Sequence, residues 1–392
     1  MSEVAHADVV ILGGGIAGAG AAYEIAKTRS VILLERESVC GYHATGRSAA
    51  SFTENYGTGL VRRLALGSRP FLASPPAGFC EHPLLSPRGM LTIARADQME
   101  RLDAELARAR LLVPSIVPVS IDDALARVPV LRRDYLAGAI LEPHSMDIDV
   151  DALQNGFLRG ARAAGARIVT RAQVRGIACR NGEWQVETPA GLFAAPVMVD
   201  AAGAWADEVA QMAGIAPLGL QPLRRTAFNI PAPVGHSIAH WPLVNDVGEE
   251  FYVKVAGGQL MVSPADATPS KPMDAWADDM DVAIGAERLE RATHLTVTRV
   301  SHSWAGLRTF AADRSPVVGF DPRAEGFFWL AGQGGYGIKT SSSLSRIAAA
   351  LIGGQDLPDD LQRLGISASD LSPARFAPAP QVSSPSTTRG AA

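Results

Sequence analysis

The chain has 392 residues, 36 Lys+Arg against 40 Asp+Glu, and a formal charge of -4. That length suits two or three domains, and 47% apolar with only 19% charged residues rules out an intrinsically disordered chain. A near-neutral balance without a basic run also excludes a nucleic-acid binder, which must neutralise phosphates.

In chain order, the first residues carry Glu3 and Asp8 but no Lys or Arg, the opposite of a secretory leader, so a cytoplasmic protein is expected. Val9 to Leu12 reads as a short strand, residues 19–27 as a helix and Val31 to Leu34 as a second strand, a βαβ start. Between them, Gly13-x-Gly15-x-x-Gly18 stands where a dinucleotide fingerprint requires it, with Glu35 at the end of the second strand. Gly13 permits the turn, Gly15 lets a pyrophosphate approach the backbone, and Gly18 allows close packing; Glu35 accepts ribose hydroxyls. Residues 151–164 read as a helix with Asp149 as N-cap. A small antiparallel meander broken at Asn181-Gly182 and Ala190-Gly191 follows. Residues 197–199, then Gly203, then residues 205–213 repeat the strand-glycine-helix logic. Strand-like 223–230, 251–255 and 259–262 with helical 281–293 form a separate block. The first pattern returns in strand 327–330, the cluster Gly332 to Gly337, and a helix from near Ser341 to Ile352.

No stretch predicts a membrane span. Residues 226–245 are broken by Pro231, Pro233 and Pro242, and residues 9–23 fall short of the ~20 residues a spanning helix needs. Cys40, Cys80 and Cys179 form no CxxC pair and read as buried small hydrophobes. His236 and His240 sit in loop-like flanks, so no metal site is expected.

The glycine fingerprint is shared by FAD and NAD, and other residues favour FAD. The small-residue run from Gly41 through Ser51 lets a large planar ring pass close to backbone. The Gly332 to Gly337 cluster opens a second helix, whose dipole suits the negative charge of a reduced flavin.

These motifs, with Asp200-Ala201-Ala202-Gly203-Ala204-Trp205 and Trp304-Ala305-Gly306-Leu307-Arg308, resemble the FAD-dependent D-amino acid oxidase superfamily over residues 7–373. Within it the likeness is to bacterial dehydrogenases of the D-arginine dehydrogenase type. The resemblance implies an α/β (α+β) fold: a Rossmann-type FAD-binding domain with a central parallel sheet and β-meander, formed by residues 1–88, 150–220 and 300–372. An α+β substrate domain with an antiparallel sheet would take 89–149 and 221–299, leaving 373–392 as a disordered tail. By resemblance the flavin contacts Ala17, Glu35, Arg36, the stretch Ala44, Thr45, Gly46, Arg47, Ser48, Ala49, Ala50 and Ser51, then Val174, and Gly335, Tyr336, Gly337, Ile338, Lys339 and Thr340.

The implied reaction is oxidative deamination of a D-amino acid to a 2-oxo acid and ammonia, by hydride transfer from Cα to flavin N5. It asks for a cation to orient the α-carboxylate. Arginine's planar fork gives two parallel hydrogen bonds, and Arg308 is the first candidate. Strand alternation puts Arg225 and Arg224 on opposite faces. Resemblance makes Arg225 and Arg308 carboxylate binders, Tyr252 and Tyr56 hydroxyl donors, and the Gly306 carbonyl an acceptor for the amine. On their own, both tyrosines read as packing residues rather than substrate contacts.

Two departures stand out. Members preferring D-arginine carry an acid after the PLLSPR stretch, where this chain has Met90, so neutral or apolar side chains are expected over cationic ones. A flavin-side histidine of some relatives is replaced by Ser51. No cysteine follows Cys179, which leaves His43 as the one candidate for a covalent flavin link. The electron acceptor, whether a quinone, a dye or oxygen, is not encoded in a motif. Other readings are a flavin oxidase or dehydrogenase of glycine, a secondary amine or a 2-hydroxy acid, an NAD(P)-dependent enzyme, and a non-catalytic flavin-binding protein.

Overall fold

The computed structural model describes residues 4–376. Val9–Leu12 and Val31–Leu34 are runs of Val, Ile and Leu buried at every position, as strands covered on both faces require. They lie at the centre of a six-stranded sheet in the order Arg167–Val169, Val31–Leu34, Val9–Leu12, Val197–Asp200, Phe327–Ala331 and Val317–Phe320. All pairings are parallel except the last, which closes the edge antiparallel. Three strand-turn-helix elements from distant parts of the chain therefore stand side by side. Ligands of such sheets bind at the carboxyl ends of the strands, and that is where the glycine turns fall.

Two helices meet over this edge. Ile16–Ile25 follows the first strand and Gly337–Ile352 follows Phe327–Ala331. A Cβ on Gly20 would lie 2.2 Å from Ser345 Oγ, so their close crossing depends on that glycine. Val150–Ala163 packs on the same layer, with Asp149 accepting the Ala152 N–H as N-cap at 2.8 Å. The expected meander is present as Gly176–Arg180, Glu183–Thr188 and Gly191–Ala195, extended by Val4–His6 in parallel. Its first turn places Asn181 and Gly182 at φ 53 and 79, the left-handed pair a two-residue hairpin needs.

The second large sheet runs from Gln333–Gly334 through His302–Phe310, Gln221–Ile230, Gln259–Ser263, Tyr252–Ala256, Leu243–Asp246, Met90–Ala94 and Gly138–Glu142 to Val117–Val119. It is antiparallel except where Leu243–Asp246 meets Met90–Ala94. Residues directly opposite one another share a face, and the register pairs Arg225 with Gly306, Leu223 with Arg308, Asn229 with Met261, Lys254 with Met261, and Met90 with Glu142. One face thus carries Arg225, Arg308, Tyr252, Met261, Met90 and Glu142. The other, with Phe228, Val253, Val262 and Leu91, forms a buried core with helix Asp279–Ala292.

Some expectations shift. The first helix begins at Ile16, because Gly15 serves as its N-cap, and the last begins at Gly337, a turn before Ser341. Helix Gly59–Ala73, which contains Pro70, and helix Met99–Arg110 are not among the expected elements. The cysteines are not the buried hydrophobes expected: Cys179 is exposed on a meander edge strand, and Cys40 and Cys80 are half-buried. Pro373–Phe376 forms a short 3-10 turn, and the rest of the expected tail, 377–392, lies outside the described residues. Among the described residues no helix is long and apolar enough to cross a membrane.

Candidate active site

One cleft runs along the strand ends and reaches the arginine face of the second sheet. Its first end is made of backbone. Gly13 turns at φ +105, where a Cβ would lie 2.4 Å from the Ala201 carbonyl, and a Cβ on Gly18 would lie 1.9 Å from the Gly13 carbonyl. Only glycine permits this junction of strand, turn and helix. Helix Ile16–Ile25 has neither a capping side chain on Gly15 nor an acid in its first turn. Thr45 Oγ1 accepts the Ile16 N–H at 3.0 Å, and Gly15 and Ala17 line the cleft. A helix start without a cap from its own N-cap residue, facing a cleft, suits a phosphate. Beside it, the Glu35 carboxylate accepts N–H groups of Gly14 and Glu37, both at 2.8 Å, and still lines the cleft. The Arg36 guanidinium lies 4.8 Å from the Trp205 ring centre, and the His43 ring stands 4.7 Å from the same indole. Val174 and Gly203 complete the wall.

Farther along, Gly337–Ile352 presents a second helix start without a side-chain cap, and Gly335, Gly337 and Ile338 line the cleft there. A Cβ on Gly335 would meet the Arg308 guanidinium at 2.9 Å, which ties this glycine to the arginine beside it. Two uncapped helix starts, a ribose-facing acid and a slot walled by small residues fit FAD. Gly13, Gly15, Ala17, Glu35, Arg36, Ala44, Thr45, Arg47, Ser48 and Ala49 would hold it at one end, and Gly335 to Ile338 at the other.

The second end is made of side chains. Arg225 and Arg308 are half-buried, line the cleft, and among the described residues neither forms an ion pair with a carboxylate. Burial and then repulsion from Arg308 push the Arg225 pKa down. Burial works against the charge of Arg308 as well, but the neighbouring phenols of Tyr56 and Tyr252 outweigh it and hold its pKa above the usual value. Arg225 Nε donates to the Asp266 carbonyl at 2.5 Å. Two cations held together without an acid make a strong anion site, since charge-assisted hydrogen bonds contribute ~1.5–3 kcal/mol each. Arg224, as alternation requires, points the other way, to Asp281 at 2.8 Å.

The predicted residues divide accordingly. Tyr252, Gly306, Arg225 and Arg308 line the cleft, and Tyr56 stands behind Arg308. Met90 packs with Tyr252, Leu243 and Met261 in an apolar cluster beside the cleft rather than on its lining. Several expected flavin contacts serve other ends. Gly46 donates to the Gly41 carbonyl at 2.8 Å, Ala50 turns the chain at φ 41, and Ser51 pairs with Asp147 in a small sheet. Tyr336 and Thr340 secure the helix start, with Thr340 Oγ1 donating to the Tyr336 carbonyl at 2.9 Å. Lys339 directs its ammonium away from the cleft, to the carbonyls of Thr53 and Tyr56.

Sequence reasoning missed three features. Thr309 lines the cleft with a buried hydroxyl that has no partner among the described residues. Asp266 holds both Arg225 and, through its carboxylate, the Thr226 N–H at 2.7 Å. A strap at 273–275 crosses the flavin loop, fastened by Arg47 to the Ala275 and Ala305 carbonyls and to Asp274. Thr309 sits on the same strand as Arg308, where alternation alone would turn it away from the cleft, while Asp266 and the strap come from loops that strand alternation does not describe.

The DAO family, described as FAD dependent oxidoreductase, matches residues 8–351. The chain is 25% identical over 372 residues to glycine oxidase of Geobacillus kaustophilus (strain HTA426), a match covering 90% of this chain and 95% of that protein. The crystal structure of glycine oxidase from Geobacillus kaustophilus superposes with a TM-score of 0.81 at 24% identity, covering 92% and 98% of the two chains. Human mitochondrial sarcosine dehydrogenase is 26% identical over 351 residues, 82% of this chain but only 37% of that longer protein.

Proposed function

This chain belongs to the DAO family of FAD dependent oxidoreductases, and we propose that it oxidises the C–N bond next to the carboxylate of a small amino acid, with glycine or an N-substituted glycine as the first substrate class. The observation that carries this reading is the pair Arg225 and Arg308, two cleft cations with no carboxylate partner among the described residues. A substrate carboxylate supplies the missing anion. Glycine oxidase and sarcosine dehydrogenase, to which the chain is similar, support the amine class by their names.

When bound, FAD supplies the acceptor for the α-hydrogen and its electron pair. The chain's own residues orient and polarise. Arg308 and Arg225 hold the carboxylate, Tyr252 and Tyr56 add hydroxyls around it, and the Gly306 carbonyl accepts a hydrogen bond from the amine. Well-oriented reactants can gain ~7–11 kcal/mol of the barrier this way. The imine product then adds water and releases a 2-oxo acid and the amine.

A second reading is favoured by one observation. Met90, Leu243 and Met261 form an apolar cluster behind Tyr252, next to the cleft lining. It suits a D-amino acid with a neutral side chain, the substrate class implied by the likeness to D-arginine dehydrogenase-type enzymes. Glu142 lies directly across from Met90, and its carboxylate accepts the Thr53 hydroxyl at 2.9 Å rather than facing the cleft lining.

The test is anaerobic bleaching of the flavin's visible band by glycine, N-methylglycine, D-leucine, D-methionine, D-phenylalanine, D-arginine and their L-counterparts. Fastest bleaching by the first two supports the first reading, and by neutral D-amino acids the second. D-arginine ahead of D-leucine, D-methionine and D-phenylalanine overturns the role given to Met90, and no bleaching by any of them overturns the enzyme. Admitting oxygen, a quinone or a dye afterwards identifies the acceptor.

A further inference from the structure

Lys339 is a residue that neither end of the cleft uses. It belongs to the first turn of helix Gly337–Ile352, next to Ile338 on the flavin wall, yet it is only 4% exposed and its ammonium turns behind the cleft. There it donates to the Thr53 carbonyl at 2.8 Å and the Tyr56 carbonyl at 2.6 Å. Segment 53–56 is fixed by further bonds as well. Thr53 Oγ1 donates to Glu142 at 2.9 Å, Arg69 donates to Glu54 at 2.5 Å, and Arg62 donates to the Asn55 side chain at 2.6 Å. The Tyr56 ring, at the end of this segment, packs edge-on against Tyr336 at 5.3 Å and shares an apolar cluster with Leu223, which lies directly across the sheet from Arg308.

We propose that Lys339 is a positioning residue for the substrate carboxylate: by clamping the Thr53 and Tyr56 carbonyls to the start of the flavin-side helix, it sets the Tyr56 hydroxyl against Arg308, with Glu142 as its buried counter-charge. The inference rests on the reading of Arg225 and Arg308 as a carboxylate site. A lysine this deep is costly unless its protons are engaged, and the two carbonyls engage them. The charged groups around it are Glu142 from Gly138–Glu142, Glu54 from segment 53–56 and Arg62 from Gly59–Ala73, with the Tyr56 and Tyr336 rings each 5.6 Å from the ammonium. Burial lowers the Lys339 pKa to about 7 and raises that of Glu142 to about 7, so the clamp exchanges protons near neutrality.

The experiment titrates FAD-loaded wild type, K339M, Y56F and the double variant with pyruvate, a 2-oxo acid probe, and follows the flavin absorbance. The expected result is a Kd raised roughly tenfold in K339M, about 1.4 kcal/mol, with FAD per chain unchanged. Y56F should weaken binding in the wild type but add nothing to K339M, because a tyrosine no longer held in place has nothing to lose. The wild-type Kd should also vary between pH 6 and 8, and that variation should vanish in K339M. Should K339M fail to retain FAD, E142Q takes its place in the same cycle, since it removes the counter-charge of Lys339 at nearly constant volume. Additive effects of Y56F and the clamp variant overturn the inference and leave the carboxylate site standing. A wild-type protein whose flavin does not respond to pyruvate overturns the carboxylate site, and the inference with it.

Discussion

The two ends of the cleft recognise by different means. At the dinucleotide end, glycines and two uncapped helix starts present backbone, and the side chains that matter, Glu35 and Thr45, are themselves bonded to backbone N–H groups. At the substrate end, a sheet face presents Arg225, Arg308 and Tyr252, with Tyr56 brought from a separate segment. Backbone recognition tolerates no added atom, because its partners are fixed by the fold. Side-chain recognition tolerates substitution structurally and loses function instead. A variant at the first end should therefore cost folding and cofactor together, whereas one at the second should cost only chemistry.

The largest expected effect separates the two outright. In Gly18→Ala the new methyl lies 1.9 Å from the Gly13 carbonyl, a backbone atom that cannot swing aside. The strand-turn-helix junction must open, at ~3 kcal/mol or more. Purified protein should carry little FAD, read from its visible absorbance, and melt well below the wild type. Full loading would show that the fingerprint packs loosely and that the contrast between the ends is false.

Arg308→Met addresses the other end. The methionine keeps most of the volume and leaves Arg225 in place, so FAD content and melting should stay near wild type. Losing two charge-assisted hydrogen bonds should lower kcat/KM about a hundredfold or more, measured as flavin reduction against substrate concentration. An unchanged kcat/KM removes Arg308 from the site, and a loss of flavin would mean that its contact with Gly335 makes it part of the cofactor end after all.

The same contrast explains what could be read from the chain. Gly13, Gly15, Gly18 and Glu35 are close in sequence because one strand-turn-helix unit supplies them, and strands Val9–Leu12 and Val31–Leu34 are continuous apolar runs with no competing period. The arginines were visible as isolated cations on alternating segments, and their register across from Gly306 and Leu223 follows from pairing between residues some 80 positions apart. Lys339, Thr340 and Ser51 do not line the cleft, because a motif marks a stretch of chain, while a helix start or a small sheet decides which atoms of that stretch face it. Gly20 is required by packing, at a helix crossing with Ser345, and Gly334 both lines the cleft and leaves no room for a Cβ, which would meet the Phe310 ring at 2.3 Å. Segments 53–58 and 273–275 carried no pattern, because the bonds that tie them to the site, from Lys339 to Thr53 and Tyr56 and from Arg47 to Ala275, join residues more than 200 positions apart.

The smallest effect concerns protons, which only the side-chain end should move. Burial raises the Glu142 pKa from 4.5 to about 7 against the opposing bond from Thr53, so the folded chain keeps a proton that the unfolded chain releases near 4.5. Stability from this group is whole below pH ~4.5 and is lost as pH rises toward 7. Lys339 acts in the other direction: its pKa falls from 10.5 to about 7, so its contribution is whole above pH ~10.5 and is lost as pH drops toward 7. A tenfold difference in proton affinity between the folded and unfolded chain is worth about 1.36 kcal/mol. Between pH 5 and 7 the wild type should therefore lose about 2 kcal/mol relative to Glu142→Gln, which has no proton to exchange, as read from urea unfolding at each pH. A difference that stays flat would place Glu142 in contact with water, and the substrate end would then be no more buried than the dinucleotide end.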